Sequence, residues 1–232
     1  AHTALAYILR TYDWNFPRAE EELKKSIELN PNYSIARDFY AILLAALGRF
    51  NEATAQSNLA VELDPLSIEV LHSRARIEYY AGRYDEAIAL TRKEFEVDPE
   101  SRPAHGLLGS IYEMKHLTNK ALSEIILSRS ITGTDYEGYS EIRKSGDSPD
   151  WKSYWNRELT VAKELCGQGQ LPYIVLSVVA LRANQREFAI QSLQKSYEKR
   201  EGSLVYLNVE PLFEPLRTDP RIIAILRNMN LQ

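Results

Sequence analysis

One recurrence constrains this chain more than any other feature: a small residue and a proline return every 34 residues. Ala19, Ala53, Ala87 and Ala121 form one ladder, and Pro31, Pro65 and Pro99 form a second that Gly133 and Gly167 continue. Between rungs, apolar residues recur at helical spacing in two runs separated by turn residues, so each period predicts a helical hairpin. No segment sustains the period-two alternation of a half-buried strand. Residues 175–180 are apolar enough to imitate one, but their neighbours continue the helical pattern, so they read as a buried helix.

The periods can be followed along the chain. In the first, a helix around His2 to Thr11 precedes Asn15, a good N-cap, and Pro17, placed where a missing N–H costs little. The second helix of that period stops at Asn30, because Pro31 disfavours helix in the residue before it. Tyr33 to Leu47 reads as an amphipathic helix ended by Gly48, and Gly82 repeats that ending one period later. Ala41 should meet Ala53, and Ala75 should meet Ala87, small side chains that let paired helices approach. In the fourth period Gly109 should face Ala121. The fifth is degenerate: residues 139–146 form a short polar helix candidate, residues 146–149 are turn chemistry, and Trp155 stands where the ladder asks for alanine, which should splay the helix pair. A long helix from Asp150 to Cys166 follows, Ala189 restores the register, and a last helix runs from Asp219 to Met229. Solenoids need a terminal element with a wet outer face, and residues 203–232 suit that role.

The 34-residue period and the LLGSIY stretch (Leu107 to Tyr112) resemble the tetratricopeptide repeat, TPR. The expected fold is all-α: a right-handed α-α superhelix, or TPR solenoid, of about six helical hairpins with a C-terminal capping helix. Units one to four span residues 1–134, degenerate units five and six span 135–202, and the cap spans 203–232, in one continuous solenoid. Three stretches (Tyr12 to Tyr33, Tyr40 to Ser67, and Leu204 to Leu231) also resemble the C-terminal TPR region of bacterial and archaeal multidomain regulators. The N-terminal parts of those proteins are winged-helix transcriptional regulators, Ser/Thr kinases or adenylate cyclases. That resemblance implies an interaction or sensory region appended to an effector, with no catalytic residues. Glu94, where a small residue is usual, and the polar stretch from Ser130 to Asp150 depart from the pattern.

Chemistry is otherwise sparse. A net charge of −4 lacks the basic footprint of nucleic-acid binding, one cysteine permits no internal disulfide, and no apolar run approaches a membrane span. His72 and His105 fall at different repeat positions and do not read as a metal site. Cys166 sits at a helix C-terminus, where the dipole disfavours a thiolate. The sequence therefore reads as a binding protein rather than an enzyme, with no cofactor, no membrane insertion and a cytoplasmic location, or an extracytoplasmic one should a membrane span precede it. The inner face, lined by the first helix of each unit, should present Tyr7, Arg10, Asp38, Ile42, His72, Arg76, Tyr79, Ser110 and Glu113. This mixed-polarity groove suits a protein or peptide segment. Self-association as a homodimer and small-molecule sensing among the 14 tyrosines are the alternatives.

Overall fold

The computed structural model describes residues 1–130 and 150–231. The expected 139–146 helix and 146–149 turn lie outside the described residues, as does Gly133. Every regular element among the described residues is helical. In chain order they are α1 (His2–Ile8), a π-helical turn (Leu9–Asp13), α2 (Phe16–Leu29), α3 (Ser34–Ala46), α4 (Phe50–Leu63), α5 (Ile68–Tyr80), α6 (Tyr84–Val97), α7 (Arg102–Met114) and α8 (Thr118–Ser130). From residue 150 onward come α9 (Trp151–Gly167), α10 (Tyr173–Arg182), α11 (Arg186–Glu198), two 3-10 turns (Gly202–Tyr206 and Pro211–Leu216) and α12 (Pro220–Asn228). The apolar segment 175–180 lies inside α10, with Leu176, Ser177, Val179 and Ala180 buried, Val178 half-buried and Val175 exposed.

Local chemistry sets the boundaries. The Asn15 side chain accepts from the Arg18 N–H, Ser67 from Val70, Ser101 from Ala104 and Asp219 from Arg221, each supplying an acceptor to the unpaired N–H groups of a helix start. Helix α10 follows Pro172 and has no such side chain at its own cap. Glu201, beyond α11, reaches back instead: its carboxylate accepts the Tyr173 and Ile174 N–H groups at 2.7 and 2.9 Å and the Ser196 hydroxyl at 2.8 Å.

The period is also written in the backbone. Trp14, Gly48, Gly82, His116 and Asn184 all take positive φ (53°, 73°, 74°, 58° and 58°). Successive members are one period apart, except the last pair, which is two. At the last four, the next N–H bonds back to a carbonyl five residues earlier, at 2.8–2.9 Å, closing the first helix of the hairpin. Gly48 and Asn184 therefore stand in one register.

Packing follows the small-residue ladder. Ala19, Ala53, Ala87, Ala121 and Ala189 are wholly buried, as are Ala41 and Ala75. Ala75 and Ala87 share one apolar cluster with Tyr79, Leu107 and Ile111. At Gly109 a side chain has no room: a Cβ would fall 2.7 Å from Ile125 Cγ1 and 3.2 Å from the Ala121 carbonyl oxygen, so the facing pair is tight as expected. Trp155, at the ladder position, is fully buried, with Tyr154 edge-on at 5.1 Å and the Arg182 guanidinium 4.8 Å above its ring.

The chain forms two compact units. The mid-chain unit comprises residues 32–42 and 50–151. The end unit comprises residues 1–31, 43–49 and 152–232, so the first hairpin and the C-terminal segment fold together. Trp14 stacks on Tyr197 at 5.4 Å, Arg200 donates to the Tyr12 carbonyl at 2.9 Å, and Asn230 donates to the Trp14 carbonyl at 3.4 Å. The tail thus also covers the first hairpin, which no periodicity announces. The expected first helix is shorter than its pattern, giving way after Ile8 to the π-helical turn that meets this tail.

Candidate functional site

In the mid-chain unit, the first helices of three successive hairpins are α3, α5 and α7. Ala41, Ala75 and Gly109 recur on them one period apart and are buried. One residue further along each helix lie Ile42, Arg76 and Ser110, all half-buried. This row is apolar, then cationic, then hydroxylic, on a scaffold that does not change. The Arg76 guanidinium lies 5.8 Å from the Tyr80 ring, and Tyr80 leans on Tyr79 at 5.6 Å, which in turn meets Tyr84 at 6.1 Å. Ser110 donates to the Gly106 carbonyl, and Glu113 is half-buried one turn further on.

Other residues expected on the inner face are placed differently. Tyr79 is buried in the apolar cluster with Leu107 and Ile111, because the following hairpin packs over its ring. Asp38 is buried as well, with the Ser73 hydroxyl of α5 donating to it at 3.4 Å. His72 turns to α6, where its Nδ1 lies 3.1 Å from Glu94. Tyr7 and Arg10 belong to the end unit. Tyr7 is exposed and edge-on to Tyr12, whereas Arg10 is buried and donates to the Tyr206 hydroxyl at 3.4 Å. Arg10, Asp38 and Tyr79 are therefore buried, where an open inner face would leave them exposed.

The departure at Glu94 has a structural reason. Its buried carboxylate accepts the Ser101 hydroxyl at 2.6 Å, and Ser101 in turn caps α7. With His72 on its other oxygen, it ties α5 to the start of α7. His105 makes its own pair with Glu124 at 2.7 Å. That rung repeats Arg37 and Gln56, two periods earlier, at 3.2 Å. Among the described residues, no three His, Cys, Asp or Glu side chains gather as a metal site would require. Cys166 is buried; burial, then the charge of Glu201, push its thiol up.

One buried charged cluster escaped the sequence reading. Glu78 on α5 is fully buried and bonded by Arg74, Arg83 and Thr54. Arg74 also donates to Asn58, at 2.8 Å. Burial pushes the Glu78 carboxyl up, but the hydrogen bonds from Arg83 and Thr54 and the charge of Arg74 outweigh it and hold it below the usual range. Two signals were present: the i, i+4 spacing of Arg74 and Glu78, and the repeat of Arg49 at Arg83. Arg49 meets Glu20 at 2.7 Å as Arg83 meets Thr54 at 2.9 Å, one period on.

Stacked 34-residue hairpins with a small-residue seam and a tight left-handed ending define the TPR class of fold. A solved structure from Thermus thermophilus, the thermophilic TPR protein TTC0263, superposes over 100% of this chain and 98% of its own, with a TM-score of 0.54 at 14% identity. MamA aligns over 85% of this chain and 89% of its own, at 17% identity and a TM-score of 0.48. YrrB, described as a TPR protein with an unusual peptide-binding site, aligns over 80% of this chain and 96% of its own, at 19% identity and a TM-score of 0.43. No family model matches the chain, and no curated protein matches it. No described helix is long and apolar enough to cross a membrane.

Proposed function

We propose that the chain is a protein-interaction module that holds a peptide or protein segment on the α3–α5–α7 face of its mid-chain unit. The observation that carries this reading is the row Ile42, Arg76 and Ser110. A regular scaffold presents three different chemistries one period apart, beside a ladder that is small at every rung. An apolar anchor beside a cation supported on an aromatic ring suits a ligand with a hydrophobic side chain and a carboxylate near it. In this reading the module serves a larger regulator, as the resemblance of its sequence to multidomain signalling proteins implies.

A displayed peptide library selected on the whole chain tests it. Selected peptides should lose at least tenfold in affinity on Arg76→Glu, about 1.4 kcal/mol, and comparably on Ile42→Lys, with helicity unchanged by circular dichroism. Peptides indifferent to both substitutions would place recognition elsewhere.

A further inference from the structure

The end unit gathers unusual features at the turn where the first hairpin meets the C-terminal segment. Residues 9–13 form a π-helical turn, a rare geometry often found at functional sites. Trp14 follows with φ 53°, costly for a bulky side chain. Three neighbouring side chains there, Arg10, Thr11 and Trp14, are each at least nine-tenths buried, at 9%, 3% and 5% exposure. In each a polar atom makes no hydrogen bond among the described residues: Arg10 Nε, Thr11 Oγ1 and Trp14 Nε1. Two of these can only donate, and the third can.

Charge sharpens the point. Arg10 is a cation in a buried seam; among the described residues its side chain makes the one long hydrogen bond to Tyr206 and no ion pair. Its guanidinium rests 5.5 Å from the Tyr7 ring, which supports a cation without neutralising it. A second cation, Arg200, lies 4.9 Å above the Trp14 ring and donates to the Tyr12 carbonyl. The nearest carboxylate in sequence to Arg200, Glu201, is taken up capping α10. Buried charges in native proteins are paired, and buried donors are satisfied. The Nε edge of a guanidinium is the side-on fork that two oxygens of a carboxylate or phosphate fit.

We propose that the seam between the 9–14 turn and the 202–206 turn is a binding site for a small oxyanion, carboxylate or phosphate. Arg10 supplies charge and fork, and the Thr11 hydroxyl and Trp14 indole N–H supply further donors. The site is separate from the α3–α5–α7 face and stands or falls independently of it.

Titration of the full chain, labelled with nitrogen-15, with sodium phosphate and separately with sodium acetate tests this, against sodium chloride at matched ionic strength. The expected result is a saturable shift of the Trp14 indole and Arg10 Nε signals, with Trp151 and Trp155 unmoved and the melting temperature rising with the anion. A response to phosphate alone assigns a phosphoryl ligand, and a response to acetate alone assigns a carboxylate. Arg10→Gln should weaken the response at least tenfold. Thr11→Val, which keeps the side-chain shape, should weaken it less and serves as the variant should Arg10→Gln not fold. Neither anion moving these signals beyond chloride, or variants responding like the parent chain, would overturn the proposal.

Discussion

Glu78 shows how much one residue can hold. Its carboxylate joins α4, α5 and the residue that caps the start of α6 through Thr54, Arg74 and Arg83. Removing it leaves the buried Arg74 with Asn58 and the more distant carboxylate of Glu86, at 3.8 Å, so Glu78→Ala should cost about 3 kcal/mol in denaturant unfolding, the low end of the range for breaking a buried pair from one side. The double substitution Arg74→Met with Glu78→Leu should recover most of that loss. Because folding lowers the Glu78 pKa, the carboxylate stabilises the fold at pH values above its ordinary range. That stability is lost as pH falls from about 4.5 through the lower folded value, since the unfolded chain then binds the proton more readily. Glu78→Gln should therefore flatten the decline in stability below pH 4.5; an unchanged acid limb would contradict this. The charges of this site were readable in the sequence, but their burial was not. Arg74 and Glu78 at i, i+4 look the same on a solvated face as under a neighbouring hairpin, and only the stacking of α4 and α6 decides between them.

At the scale of the helical hairpin, the tight ending recurs and the residue filling it does not. Glycine marks it at Gly48 and Gly82, where composition reveals it. Trp14, His116 and Asn184 adopt the same left-handed conformation unannounced. Gly82→Ala should lower stability by about 1–2 kcal/mol, the penalty for a side chain in that region, whereas His116→Gly should raise it by up to about 1 kcal/mol; equilibrium denaturation reads both. Opposite signs at positions one period apart are the test, and equal signs would show that the backbone does not set the cost. The small-residue ladder was legible for a related reason: Ala53, Ala87 and Ala121 recur where only a small side chain fits between paired helices. Trp155 breaks that rule without leaving the core, and the sequence offers no means of foreseeing the Tyr154 and Arg182 side chains that enclose it.

For the molecule as a whole, the 34-residue period made the all-α TPR solenoid readable, and local periodicity could reach no further. Contacts such as Arg10 with Tyr206, or Trp14 with Asn230, join opposite ends of the chain. Repeat logic pairs only neighbours, so the expected groove included Arg10, which those distant contacts bury. The first hairpin and the C-terminal segment form one folded unit, and the seam within it can be measured directly. A Cβ at position 202 would lie 3.9 Å from the Thr11 Cβ, within the ~3.5–4.5 Å that a disulfide requires. The double substitution Thr11→Cys with Gly202→Cys also removes the Thr11 methyl that would crowd the new side chain. Under mild oxidation it should form an intramolecular bond, leave Cys166 as the remaining free thiol, and raise the melting temperature. Two persistently reactive engineered thiols, or bonds formed only between molecules, would show that the first hairpin and the C-terminal segment do not fold together.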